Sequence, residues 1–187
     1  MLELTSDKFR DELNPGERII WSGQPQQGFI LRPMDAFLIP ISLIWGGMAI
    51  FIEYIALKGD APFFFILLGI PFVLIGLYYF FGRFFVDMAQ RSKTYYALTD
   101  KRVVIISGLH NQNIKSLELK KLSEINISTR SNGKGTITFG ASLPISWMYS
   151  GSWFPNMGRY SIAPNFEMID DVKMVYQQIK LLQSEGA

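Results

Sequence analysis

The chain has 187 residues, a formal net charge of +2 and no cysteine. If about a quarter of that length lies in a membrane, the rest suffices for one small domain, because domains usually need about 100 residues. The small net charge disfavours a nucleic-acid-binding protein. The absence of cysteine excludes a disulfide framework and thiol chemistry, and it agrees with a cytoplasmic location.

The N-terminal segment, residues 1–33, is predicted to be cytoplasmic and to contain one short strand. A turn pattern at residues 14–17 precedes the β-rich residues 18–22, and Gly23 ends the run. Two placements stay open for this strand, along the membrane surface or paired with the later domain. The segment has no apolar core of the signal-peptide type, so we expect no cleavable signal.

Two long apolar runs follow, at residues 34–57 and 62–81, separated only by residues 58–61. As helices they would extend about 36 and about 30 Å, which is enough to cross the hydrocarbon core of a bilayer. Core helices of soluble proteins usually keep a polar stripe, and these runs do not. The sequence therefore predicts a transmembrane hairpin with a short external turn.

Details within the two runs suggest how the helices meet. Ser42 and Gly46 form a small-residue face in the first helix, and Gly69 and Gly76 are spaced to form the facing groove. Glu53 is the one acidic residue inside the first run. An intramembrane acid is a functional hypothesis by default, but its place near the helix end favours a side chain that reaches the headgroups.

The distribution of Lys and Arg predicts the orientation. Basic residues flank the outer ends of both runs, whereas the connecting turn carries Lys58 alone. By the positive-inside rule both termini should lie on the cytoplasmic side of the cytoplasmic (inner) membrane, in a multi-pass protein. The second helix is expected to continue along the interface to about residue 92.

Residues 93–183 are predicted to form an antiparallel, strand-rich domain. β-rich runs at residues 94–98, 102–107, 114–119, 125–129 and 136–139 follow one another closely, and Asn132 with Gly133 marks a hairpin turn. An aromatic insert occupies residues 141–160, with a last strand expected at residues 160–163. An amphipathic helix with Asn165 as its N-cap is predicted from about residue 166 to 182.

This order of elements resembles a pleckstrin-homology-like (PH-like) barrel capped by a helix. The stretches 95–108 and 133–140, the ending at 166–179, and residues 15–17 and 21–25 ahead of two spans are similar to the bacterial pleckstrin-homology membrane-protein family. The resemblance covers most of the chain. It implies an α+β membrane protein in which a two-helix hairpin carries a small antiparallel PH-like β-barrel with a C-terminal helix. The shared motifs are structural, so no catalytic or cofactor-binding residues carry over.

No catalytic or metal-binding set stands out. His110 is the single histidine, so neither a hydrolytic triad nor a zinc site is supported. Asp170 and Asp171 point about 100° apart on a helix, which favours an N-terminal charge pair over paired catalytic acids. The glycine and lysine at 133–134 lack the flanking residues of a phosphate-binding loop. We therefore expect neither an enzyme nor a bound cofactor or metal.

Two surface features are candidates for binding. Basic residues near the membrane would attract anionic lipid headgroups, or they form an ordinary solvated surface. The aromatic insert has three open placements: against lipid, against the barrel or against the N-terminal strand. The predicted membrane-surface contacts are Arg83, Arg91, Lys93, Lys101, Arg102, Trp147 and Trp153. The expected function is a non-enzymatic interaction module that binds lipid headgroups or a protein or peptide partner at the cytoplasmic face. The alternative is a subunit of an oligomeric membrane transport or assembly complex, with a homo-oligomer or another membrane protein as partner.

Overall fold

The computed structural model describes residues 7–32, 35–109, 111–141 and 163–185. The chain is an α+β protein with two apolar helices and two antiparallel sheets, and it divides into two compact units. The strand unit takes its described residues from Met1–Gly28, Met88–Pro144 and Ile162–Ala187. The described residues of the helical unit all lie within Phe29–Asp87.

Helix α1 (Asp35–Lys58) and helix α2 (Phe63–Leu77) form the predicted pair of apolar helices. A π-helical turn (Tyr78–Gly82) joins α2 to helix α3 (Arg83–Ser92), so the second apolar helix continues to the end of the predicted extension. By length and composition, α1 and the continuous helix Phe63–Ser92 are each able to cross a membrane.

Small residues bring the two helices together, as the sequence predicts. Ser42, Gly46 and Gly76 are buried, and a Cβ atom added at Gly76 would lie 2.8 Å from the Cα atom of Gly46. That distance is shorter than real Cβ contacts, so the two backbones touch where neither residue has a side chain. The hairpin therefore depends on glycine at this crossing.

The four-stranded sheet has the order β1-β2-β3-β4 and is antiparallel throughout. Its strands are β1 (Ile19–Gly23), β2 (Tyr95–Thr99), β3 (Arg102–Ser107) and β4 (Asn113–Glu118). Strand β1 pairs with β2, which decides between the two placements that the sequence left open. The apolar hairpin is thus inserted between two strands that are hydrogen-bonded neighbours.

The second sheet has the order β5-β6-β7, with β5 (Ile125–Thr129), β6 (Gly135–Phe139) and β7 (Asn165–Ile169). The predicted turn between β5 and β6 is present, with Gly133 at φ +81°. The seven described strands form two sheets and do not close into the barrel that the sequence predicted. A short 3-10 turn, Leu119–Lys121, interrupts the chain between β4 and β5.

The predicted start of the C-terminal helix is wrong. Phe166 to Ile169 belong to β7, so Asn165 is a strand residue and not an N-cap. Helix α4 begins at Val172 and ends at Glu185. Met168 and Asp171 adopt positive φ angles of 49° and 47°, which no right-handed helix accommodates. Of the last strand expected at residues 160–163, only Ala163 is described, and it lies outside β7.

The core of the strand unit lies where the sheets meet α4. Phe166 is fully buried, and its ring centroid lies 4.8 Å from that of Tyr96, 5.1 Å from that of Phe139 and 5.4 Å from that of Trp21. Val172, Val175 and Ile179 of α4 are also fully buried in this cluster. Because Trp21 precedes the apolar hairpin and the other rings follow it, this core requires both parts of the chain.

Candidate functional site

Charged residues in the helical unit pair with each other at the end of the apolar hairpin where α1 begins. The Asp35 carboxylate lies 2.7 Å from Arg83, and the two side chains are 9% and 7% exposed. The second Asp35 oxygen accepts a hydrogen bond of 2.6 Å from the backbone N–H of Arg32, whose guanidinium lies 2.9 Å from Asp87. We call these four residues the hairpin-base cluster. Two cations and two anions make it neutral as a whole.

Arg83, a predicted membrane contact, points into the protein. It is 6% exposed, its guanidinium lies 4.4 Å from the Phe84 ring centroid, and its Nη1 pairs with Asp35. Its Nε and Nη2 atoms and the Tyr78 hydroxyl are buried without a hydrogen-bond partner among the described residues. Its charge is therefore balanced inside the helical unit.

Arg91, another predicted membrane contact, holds together the two segments that lead to and from the hairpin. It is 4% exposed and donates to the carbonyl groups of Gln26 and Gly28, the second at 2.7 Å. In return the Gln27 side chain donates to the carbonyl of Arg91 at 3.2 Å, and the Gln24 side chain donates to that of Ser92 at 3.5 Å. We call this set the Arg91 clasp. Two carbonyl acceptors match the fork of a guanidinium better than the single ammonium of a lysine.

Arg102, a third predicted contact, forms a two-pronged ion pair with Glu17. Its Nε lies 2.8 Å from Glu17 Oε1 and its Nη2 lies 2.9 Å from Oε2. Thr99 Oγ1 lies 2.7 Å from the same carboxylate, and the backbone N–H of Asn14 donates to it at 2.9 Å. The hydrogen bonds from Arg102 lower the pKa of Glu17 to about 2, against the penalty of burial, and the same pairing raises the pKa of Arg102.

The two predicted lysines lie at opposite ends of the four-stranded sheet. Lys93 precedes β2 on the side where the chain returns from the hairpin, and its exposed side chain donates to the carbonyl of Leu109 at 3.0 Å. Lys101 is exposed in the turn between β2 and β3. Lys93 and Lys101, the two exposed lysines of the predicted set, therefore do not share one patch on the strand unit. Trp147, Trp153 and His110 lie outside the described residues, as does the rest of the aromatic insert beyond Ala141.

Glu53 lies against the second apolar helix. A Cβ atom added at Gly69 would lie 1.7 Å from Glu53 Oε2, so the carboxylate occupies the space that a side chain at that position would take. The sequence favoured a side chain reaching the headgroups, but the structure places it over the neighbouring helix. Gly69 thus accommodates an acid instead of a second backbone.

A shallow apolar groove of about 290 Å³ runs between α1 and α2 in the helical unit. Ser42 and Gly76 line it at the helix contact, and Trp45 and Tyr79 are among its remaining lining residues. The groove offers no acid–base pair. Within the described ranges there is also no group of three or more His, Cys, Asp or Glu residues that could hold a metal ion.

Sequence reasoning missed the roles of Glu17 and Thr99. In the sequence Glu17 is only the last residue of a turn pattern, and it is 85 positions from the arginine it binds. Pairing over such a distance depends on strand register, which no local spacing encodes. The arrangement holds the segment before β1 onto the turn between β2 and β3; it is a structural ion pair.

Comparisons with known proteins give no further assignment: no protein-family model, curated protein or solved structure matches this chain.

Proposed function

We propose that this chain is an integral membrane protein whose two apolar helices cross the cytoplasmic membrane. The observation that carries the proposal is the exposure of their apolar surface. In the most apolar windows of the two helices only 22% and 6% of the residues are buried within the protein. A core helix of a soluble protein would be mostly buried, and an exposed apolar surface of this extent requires a bilayer or another protein to cover it.

We further propose that the strand unit is a PH-like domain at the cytoplasmic face that works by binding and not by catalysis. The seven described strands, all paired antiparallel, and the helix that follows them support this reading of the domain. Its partner is an anionic lipid headgroup or another membrane protein. Lys93, which is exposed one residue after α3, is the basic residue best placed along the chain to meet a headgroup.

An extraction experiment tests the membrane assignment. Membranes from cells that produce the full chain are washed with high salt and with alkaline carbonate, which remove peripheral proteins, and then with mild detergent. We expect the chain to stay in the pellet until detergent is added. Recovery of a folded monomer in the aqueous fraction without detergent would refute the proposal.

Co-purification tests the binding role. The full chain is isolated from native membranes in mild detergent, and the bound lipids and proteins are identified by mass spectrometry. The control is a tagged protein that has the same two helices but lacks the strand unit. We expect the full chain to be enriched in anionic phospholipids or in a defined membrane protein relative to this control. If the Lys93→Glu variant retains as much anionic lipid as the wild-type chain, the headgroup role of Lys93 is excluded.

The alternative function is a subunit of an oligomeric transport or assembly complex. The contact between Glu53 and Gly69 favours it, because acids inside transmembrane helices commonly mark ion or substrate pathways. Two helices make no pore alone, so this function requires a stable oligomer. Mass measurement of the detergent-solubilised chain distinguishes it, since a strictly monomeric protein would not form such a path.

A further inference from the structure

We propose that strand β5 pairs with β5 of a second copy of this chain, so that two three-stranded sheets join into one six-stranded sheet. The two-fold axis of this pairing passes beside Ile127. The inference concerns the strand unit alone and does not depend on whether the helices cross a membrane.

The outer edge of β5 has backbone groups available for pairing. The N–H of Gly140 donates to the carbonyl of Glu124 at 2.8 Å, and the N–H of Arg130 donates to the carbonyl of Lys134 at 2.8 Å, both in the register of the β5–β6 ladder. Hydrogen-bonded and non-hydrogen-bonded pairs alternate along an antiparallel ladder. The backbone N–H and carbonyl groups of the even-numbered residues of β5 therefore point toward β6. The N–H and carbonyl groups of Ile125, Ile127 and Thr129 therefore face the open edge. No described residue bonds to them there.

The other three sheet edges carry features that discourage pairing. Strand β1 has a register irregularity between Ile19 and Trp21. Strand β4 carries Lys115 in its middle, and the β7 carbonyl of Met168 already accepts a hydrogen bond of 3.0 Å from Gln26. Natural sheets protect their edges with bulges, charges and covering segments. Strand β5 has no charge, no proline and no register shift, so among the described strands its edge is the one without such protection.

The residues along β5 favour a second copy as the partner. Antiparallel pairing centred on Ile127 sets Glu124 of one copy opposite Arg130 of the other, twice, because each lies three residues from the centre. Both side chains are exposed, and opposite charges facing each other across strands are stabilising. The Ile127 side chain, 37% exposed in the single chain, would meet its own copy. A parallel arrangement would instead set like charges together.

A disulfide cross-link tests the position of the axis. The chain has no cysteine, so Ile127→Cys introduces a single thiol. Opposed residues in a hydrogen-bonded antiparallel pair have Cα atoms about 5.5 Å apart, within the range that a disulfide spans. We expect the full-length variant, oxidised in mild detergent, to form a covalent dimer. The matched control is Ile114→Cys on β4, where the native residue is 39% exposed. Equal cross-linking of the two variants, or none at Ile127, would overturn the proposal.

A charge exchange tests the partner without relying on cysteine. We expect the full chain in detergent to have the mass of two copies, and Arg130→Glu to weaken the dimer about tenfold, because two favourable charge pairs become repulsive. Adding Glu124→Arg should restore the dimer by reversing both partners. A monomeric wild-type chain over the whole concentration range would refute self-pairing, and so would failure of the double variant to recover. Both sites are exposed, so the variants should fold.

Discussion

Three arginines that the sequence places near a membrane surface serve internal contacts in the structure. Arg83 pairs with Asp35, Arg91 binds two carbonyl groups, and Arg102 pairs with Glu17. Guanidinium groups suit this work because they present several donors in a fixed plane. These three guanidinium groups are therefore paired or hydrogen-bonded within the protein.

The Glu17–Arg102 pair predicts a pH-dependent contribution to stability. The pKa of Glu17 falls from 4.5 to about 2 on folding, so its contribution is fully present above pH 4.5 and is lost as the pH falls through about 2. We expect Glu17→Gln to lower the free energy of unfolding by about 2 kcal/mol at pH 7. Denaturant unfolding of the full chain in detergent, followed by tryptophan fluorescence, measures the difference.

The difference between wild type and Glu17→Gln should shrink steadily between pH 4.5 and pH 2. The control is Glu118→Gln, which removes the ion pair with Lys121. Those side chains are 59% and 76% exposed, so the cost should stay below about 0.5 kcal/mol. A pH-independent cost at Glu17 would show that the carboxylate is not the stabilising group.

At the scale of elements, the contact between α1 and α2 depends on two glycines whose backbones meet. We expect Gly76→Ala to lower the melting temperature of the full chain in detergent by several degrees, because a Cβ atom there would lie 2.8 Å from the Cα atom of Gly46. The helices would have to move apart to accept it. Thermal unfolding followed by circular dichroism or fluorescence gives the shift.

Gly47→Ala is the matched control, since a Cβ atom at Gly47 has no neighbour within 4 Å. Alanine favours the helix over glycine by up to about 1 kcal/mol, so this variant should be neutral or slightly more stable. Equal destabilisation by the two substitutions would show that the close contact between Gly76 and Gly46 is not the cause of the effect.

The strands show where local pattern is sufficient and where it is not. Residues 125–129 alternate apolar and polar side chains, and the predicted strand coincides with β5. Residues 166–169 also fit the apolar spacing of the following helix, yet they form β7. Pairing with β6 and burial of Phe166 outweigh helical periodicity there, and both depend on residues far along the chain.

At the scale of the whole molecule, the hairpin interrupts the strand unit between β1 and β2. Gly23 pairs with Tyr96, so the strand ends on either side of the insertion lie next to each other. We expect a chain in which residues 25–94 are replaced by Asn-Gly to fold as a water-soluble strand unit. Gln24 and Tyr95 would then flank the turn in the register of the Gly23–Tyr96 pair, and a two-residue turn is sufficient to join antiparallel neighbours. Circular dichroism and a cooperative thermal transition would verify folding.

A chain that begins at Thr94 is the comparison for this experiment. It lacks β1, so the edge of β2 is open, and it lacks Trp21, whose ring packs against that of Phe166. We expect it to aggregate or to unfold without cooperativity. If it is as stable as the joined chain, then β1 is not an integral part of the sheet.

The sequence by itself determined the two apolar helices, the small-residue contact between them, and most of the strands. These features follow from run length and from residues that repeat at short, regular spacing. The tertiary structure alone decided that β1 completes the sheet across the inserted hairpin and that the strands form two sheets instead of a barrel. It also decided that Glu17 meets Arg102. Those outcomes depend on pairing between distant segments, whose register is set by the packing of the whole core.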